Sequence, residues 1–543
     1  MTRLHDSRLT RRDFIGAGAT IIAATALPAG MAAQGATYRR FRMSDPNPQP
    51  HVLKVMESYK TAIRKMLELP PSDPRNWYRI ALVHTFDCPH GNWWFLPWHR
   101  AYLGYFERTC RQLSGDPEFA LPYWDWTEVS RIPDVMFQDV LDPNNDKYIA
   151  TFEEFKKAFE VQLAKMWASF TASQKEQLER RGYKSVAHFW LQELYSPDES
   201  DLSLKAMFRE RGNGRGLTVG NPHFNSHDKT TVSLPTIETA LWSPTFARDP
   251  FKDEKAGFGS TKAQYHQHEG HKQGVLESEP HNNVHGAIGG FMGDYFSPVD
   301  PIFFLHHANI DRLWDVWTRR QEAAPSELAL PGEGADLSWW QNEQFLFFSD
   351  ENGQPVSNAT VENYKAMSFF NYDYEPGKGE HMVPKVVATA LSALPKTQSF
   401  SAALRTEGAA GGVVELPGEL LRPRGSDEPG DVTTVTLNLR RADRGRRFRV
   451  MASIPGSKPI LAGVITVFGP LTGETTYTIP APNIPTAEPG KKVHVNFDVV
   501  PLDEFEEPPK PSFGPGPVGE EPKFKLPSRT APQVKAIQVM PNN

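Results

Sequence analysis

The sequence predicts a mainly α-helical protein with long loops, closed by a small antiparallel, β-sandwich-like C-terminal domain. Three observations carry that reading. Apolar residues recur at three- and four-residue spacing through "VLKVMESYKTAIRKMLEL", "NWYRIALVH", "RAYLGYFERTCRQL" and "PIFFLHHANIDRLWDVWTRR", the period of a helix with one buried face. Between them, "GNGRGLTVGNPHFNSHDKTTVSLP" and "FKDEKAGFGSTKAQYHQHEGHKQG" are rich in Gly, Ser and charge, as long surface loops and site walls are. Further on, "TTVTLNLRR", "RRFRVMASI", "AGVITVFG" and "KKVHVNFDVVPL" alternate and are rich in β-branched residues, the mark of antiparallel strands.

At 543 residues the chain is too long for one hydrophobic core. With 39% apolar residues and a net charge of -6 it has the composition of a folded protein, without the basic surplus that a nucleic-acid partner requires. Its two cysteines, Cys88 and Cys110, supply no disulfide framework, so stability rests on packing. At the N-terminus, Arg11-Arg12-Asp13-Phe14 precedes an Ala/Gly-rich apolar run, which reads as a twin-arginine export signal. That run suits a cleaved peptide better than a retained anchor. The expected location is therefore periplasmic or secreted, with no stable membrane insertion after cleavage. The expected divisions are a signal at 1–36, a helical domain at 37–325, a linking segment at 326–394, a β domain at 395–505 and a Pro-rich tail at 506–543.

Among 17 histidines, two groups stand out: His84, His90 and His99, and then His281, His285 and the pair His306-His307. His281 and His285 are four apart, so on a helix both imidazoles project from one face. Asp300 and Pro301 carry the residue types of an N-cap and a first helical position, so a helix should begin there. His306 and His307 then lie about 100° apart around its axis and cannot serve equally. Of the two we favour His307, whose face Asp311 shares. His84 ends one helical run, His90 lies in a Gly- and Pro-flanked turn, and His99 follows Pro97 at the start of the next helix. Two clusters of three imidazoles without thiolates suit copper, zinc or iron, and leave coordination positions open. A closed structural zinc site would use more sulfur.

The string from His90 through "GNWWFLPWHRAYLGYFE" to Glu107, and "DPIFFLHHANID" from Asp300 to Asp311, resemble the copper signatures of tyrosinases, catechol oxidases and molluscan haemocyanins. "LPYWDW" at 121–126 is similar to the family's sequence after its first copper site, and the 326–394 segment resembles the middle region of plant polyphenol oxidases. The resemblance implies a four-helix bundle around a dicopper centre. One copper would be held by His84, His90 and His99, the other by His281, His285 and His307, with O2 as co-substrate and small phenols as substrates. His84 lies only six residues before His90, closer than in many members. "CPH" resembles the arrangement in which some members join cysteine sulfur to imidazole carbon, here Cys88 to His90; the alternatives are a free buried thiol and a bond to Cys110.

The resemblance further implies that Glu277 and Asn282 hold a water that takes the phenolic proton, the alternative for Glu277 being an ordinary solvated carboxylate. Gly286 would leave room beside the second copper, and Tyr295 or Phe296 would place a ring over the site. The C-terminal domain would cover the mouth and keep the enzyme latent. The activity so implied is ortho-hydroxylation of monophenols and oxidation of o-diphenols to o-quinones. A catechol or o-aminophenol oxidase lacking hydroxylation, and a haemocyanin-like O2 carrier, use the same six histidines. A dinuclear hydrolase would need bridging carboxylates that these motifs lack.

Overall fold

The helices form where apolar spacing, caps and prolines direct them. In the computed structural model the described residues are 38–43, 48–194, 208, 214–253, 255–268, 270–323, 335–383, 399–401, 403–404, 410–421, 430–469, 471–484, 491–502 and 532–542. The export signal, the junction at 384–398 and the Pro-rich stretch at 503–531 lie outside them. Helix α1 (Pro50–Glu68) opens on a proline, and α2 (Trp77–Asp87) is capped by the Asn76 side chain, which accepts from Tyr78 and Arg79 N–H. The next helix, α3 (Phe95–Ser114), packs on α1. A capping box at Thr151 and Glu154 starts α4 (Phe152–Ser169). Then come α5 (Asn282–Ile288), which continues a π-helical turn at Glu277–His281, and α6 (Ile302–Ala323). The sequence placed the start of α6 one residue earlier; Asp300 still serves its first turn by accepting Ile302 N–H at 3.1 Å. No helix among the described residues is long and apolar enough to cross a membrane.

A short N-terminal strand, β1 (Tyr38–Arg40), runs parallel to β3 (Tyr372–Tyr374) and ties the linking segment to the helices. Arg40, fully buried, makes that junction by pairing with Glu107 at 2.9 Å and stacking over Tyr372 at 3.6 Å.

Two five-stranded sheets form the C-terminal β domain. One holds β10 (Gly473–Pro480), β7 (Asp431–Leu439), β12 (Gln533–Pro541) and β4 (Phe400–Ser401), with β2 (Lys272–Gln273) added at its edge by the helical domain. The other runs β5 (Ala403–Leu404), β6 (Gly411–Pro417), β11 (Lys492–Pro501), β8 (Arg447–Ser453) and β9 (Ile460–Thr466). Alternate residues such as Val435, Leu437, Phe448, Val450, Val495 and Phe497 fill the space between the sheets. Residues 533–541 differ from the sequence expectation of a tail. They form an interior strand between β7 and β4, because "VKAIQVM" alternates well enough to fill a vacant sheet position once the Pro-rich stretch has been crossed.

Candidate dicopper site

Each histidine of the two groups is placed by a local feature of its own segment. His84 sits in the last turn of α2, which stops at Cys88 because Pro89 follows and disfavours helical backbone before it. His90 lies in the loop, where Gly91 adopts φ +67° and touches the backbone of Gly270 so closely that a Cβ would lie 2.3 Å from Gly270 O. His99 stands two residues after Pro97, in the opening of α3. Pro280, which lacks an N–H, lies inside the π-helical turn at Glu277–His281. The turn leads directly into α5, so His281 and His285 remain on one face. His307 comes from α6.

The two trios form nearly regular triangles. Ring centroids lie 5.4–5.6 Å apart among His84, His90 and His99, and 4.7–5.4 Å apart among His281, His285 and His307. His99 and His307 stack at 4.3 Å and 11°, joining the trios into one cluster. All six are buried, and burial lowers every one of their pKa values, His84 and His281 to about 3. They are therefore neutral at pH 7.

Tautomers then decide which lone pairs face inward. The Nδ1–H of His84 donates to Tyr295 O at 2.6 Å, that of His99 to Phe95 O at 2.8 Å, and that of His285 to Met292 O at 2.7 Å. His281 does the same to Asn282 Oδ1 at 2.8 Å. Each leaves Nε2 as a bare acceptor, the arrangement by which metal-bound imidazoles are oriented. The Nε2 atoms of His84 and His99 face one another at 3.3 Å. Two lone pairs at that distance repel unless a cation shares them. The Nε2 atoms of His90 and His281 are buried without a hydrogen-bond partner, which is costly in a finished protein core. This donor set fits metal ions.

Proximity alone would group His306 with His281, His285 and His307, and Cys88 with His84 and His90. The hydrogen bonds argue otherwise for His306. Trp126 Nε1–H donates to its Nδ1 at 3.1 Å, so the proton of the neutral ring sits on Nε2 and no lone pair remains for a metal. The Cys88 thiol lies 3.5 Å from His90 Nδ1, and Cys88 and Cys110 form no disulfide with one another.

Glu277 is fully buried rather than solvated. One carboxylate oxygen accepts Gly91 N–H and the other Ser260 Oγ–H, both at 2.6 Å, so the side chain braces the loop that carries His90. Asn282 links His281 to Gln273 through its amide, at 2.8 Å on each side. Tyr295 stacks on His90 at 4.7 Å, whereas Phe296 turns into the core against Tyr78 and Phe155. Of the two aromatic candidates, only Tyr295 borders the imidazoles.

One residue that borders the imidazoles escaped sequence reasoning. Phe468, just beyond β9, leaves the sandwich core and places its ring 4.3 Å from His285, 5.1 Å from His90 and 5.6 Å from His281. No spacing rule marks it, since "VFGPL" reads as an ordinary strand end. The seam around it is polar. Asn283 donates to Val464 O and accepts from Thr466 Oγ1, each at 2.7 Å, while Ser278 bonds Thr478 O. Gly286 lies beneath this seam, where a Cβ would come 2.9 Å from the Thr466 side chain. The space that Gly286 leaves is thus taken by the β domain.

Residues 74–320 match the family described as the common central domain of tyrosinase. Curated relatives include a tyrosinase of Hahella sp. (strain CCB-MM4), 26% identical over 59% of this chain and 60% of its own length. A latent-form chloroplastic polyphenol oxidase of Prunus armeniaca is 26% identical over 59% of this chain and 46% of its own. The chain thus spans roughly half the length of these relatives. Among solved structures, a recombinantly expressed latent aurone synthase (polyphenol oxidase) superposes with a TM-score of 0.52 at 17% identity, covering 94% of this chain and 91% of the other. At that identity the likeness concerns the fold: a helical core followed by a β domain. Both copper signatures lie inside residues 74–320, the stretch that matches the central domain of the tyrosinase family.

Proposed function

We propose that the chain is an exported, copper-dependent phenol oxidase that uses O2 to hydroxylate monophenols and to oxidise o-diphenols to o-quinones. The observation that carries this is the facing pair of buried, neutral imidazole trios, in which His84 and His99 present bare lone pairs to each other. His84, His90 and His99 would hold one copper, and His281, His285 and His307 the other. Bound there, the ions would supply activation of O2 and accept two electrons from a diphenol. Export rests on the Arg11-Arg12 motif.

The protein's own groups do the positioning. Three backbone carbonyls and Asn282 hold four of the imidazoles with Nε2 inward. A phenol with pKa near 10 must lose its proton to bind a metal well. Glu277, at the base of the His90 loop, would polarise a water that accepts it. The Phe468 ring occupies the space above His285 and excludes both water and substrate. In this reading the β domain is a lid that keeps the enzyme latent.

One observation favours the second reading, a catechol or o-aminophenol oxidase: both Glu277 oxygens already accept protein hydrogen bonds, which reduces their capacity to hold a water. Assaying copper-loaded protein with one monophenol and one diphenol decides between them. Turnover of both supports hydroxylation, and turnover of the diphenol alone supports the second reading. With two coppers bound, reversible O2 binding without quinone would overturn both. Glu277→Gln keeps the shape of the brace, so in the first reading it lowers monophenol turnover relative to diphenol turnover.

A further inference from the structure

We propose that the site, once the lid is displaced, selects phenols bearing a cationic group, an ammonium or guanidinium joined to the ring by a short chain. The inference rests on the phenol-oxidase reading and adds the charge of its substrate.

The lid carries an aryl ring and two guanidiniums to the mouth. Phe468 lies over His285. Beside it, Arg447 Nε would lie 3.0 Å from a Cβ at Gly286, the residue that follows His285, and 3.2 Å from Thr466 Oγ1. The other end of the same guanidinium pairs with Asp228 in the helical domain. Arg444 pairs with Asp294 at 2.5 Å and Glu193 at 3.0 Å. Asp294 immediately precedes Tyr295, whose ring stacks on His90.

The sorting of charge is one-sided. Asp228, Asp294 and Glu193 all belong to the helical domain, and both guanidiniums that answer them belong to the lid. Among the described residues, the helical domain places one guanidinium near this rim, Arg181, which lies 5.1 Å over Tyr295 and donates to Cys88 O. Displacing the lid therefore takes away the guanidiniums that answer Asp228 and Asp294, while Glu193 keeps Arg181 nearby, both side chains bonding Tyr183. Carboxylates set among apolar walls bind a cation far more strongly than in open water. An arylalkyl ammonium can put its ring where Phe468 sits and its charge where Arg447 sits. A phenol ending in a carboxylate meets repulsion at the same point.

The test uses the full-length chain carrying Phe468→Ala, Arg447→Ala and Arg444→Ala, which vacates the ring position and both guanidinium positions. Calorimetry compares two compounds that cannot be oxidised as phenols, 2-phenylethylamine and 3-phenylpropionate. The expected result is amine affinity about tenfold above acid affinity, a gap that narrows at high salt and falls towards parity with Asp228→Asn or Asp294→Asn. A parallel assay compares kcat/KM for dopamine and 3-(3,4-dihydroxyphenyl)propionate and should show the same order. Equal or better binding of the acid, binding of neither compound, or a preference unmoved by salt and by both substitutions overturns the proposal. If the amine preference appears in calorimetry but neither catechol is oxidised, the oxidase reading fails and the charge selectivity stands.

Discussion

His266 offers the sharpest test of how the helical domain is held. Fully buried, it lies between Asp87, 2.8 Å from Nε2, and Glu343, 2.6 Å from Nδ1. Burial alone would lower its pKa, but the charge and hydrogen bond of Asp87, with those of Glu343 behind them, outweigh this and raise it to about 9. The ring is therefore an imidazolium at neutral pH, joining three distant segments: the end of α2, the Gly-rich loop that carries His266 itself and the linking segment. Because the folded pKa lies above the unfolded value of 6.5, the stabilisation is complete below about pH 6.5 and is lost as pH rises through about 9. The difference between those two values corresponds to about 3 kcal/mol. Unfolding followed by tryptophan fluorescence from about pH 6.5 to about pH 10 should show that loss in the unaltered chain. His266→Gln should be less stable at neutral pH by about 3 kcal/mol, since the buried Asp87 and the partly buried Glu343 lose their cation, and should show a flatter pH dependence. Parallel pH dependence in the two proteins would refute the reasoning. The same clamp reaches the candidate metal site, because the second Asp87 oxygen accepts Trp98 Nε1–H at 2.8 Å and Trp98 packs on His84 and His99.

Three further outcomes are expected. Phe468→Ala in the full-length chain should raise diphenol turnover at least about tenfold, since removing a buried ring opens the space above His285 at a cost of about 3–5 kcal/mol to the lid seam; unchanged turnover would remove Phe468 from any blocking role. Copper analysis should find two ions per chain in the unaltered protein and in His306→Asn, whose amide oxygen can still accept from Trp126, but a deficit in His307→Ala; the reverse pattern would exchange their roles. Intact mass after copper loading should fall by about two hydrogen masses if Cys88 joins His90, a change that Cys88→Ser abolishes; an unchanged mass leaves Cys88 a free thiol.

Much of the candidate site was legible because helical geometry repeats over short distances. The spacing of His281 and His285 and the helix entry at Asp300 and Pro301 are decided within one or two turns by backbone sterics and capping, whereas the helix expected to end at His84 runs on to Asp87, where Pro89 stops it. Alternation likewise announced the strands of the β domain. It failed at 533–541, where a Pro-rich stretch hid a strand whose partners lie far back in the chain. Glu277 was legible as a position but not as a brace, since Gly91 stands 186 residues away from it.

What the amino-acid order determines by itself is therefore which imidazoles share a helix face and where each segment begins and ends. Only the tertiary structure decides what meets what. Trp126 reaches across 180 residues to take the Nδ1 lone pair of His306 and so distinguishes it from His307. Phe468 arrives from a second domain to lie against three histidines. Arg444 and Arg447 of the β domain find carboxylates on the far side of a domain boundary. These contacts depend on how separately formed surfaces pack, and long-range packing leaves no periodic trace in the residues that make it.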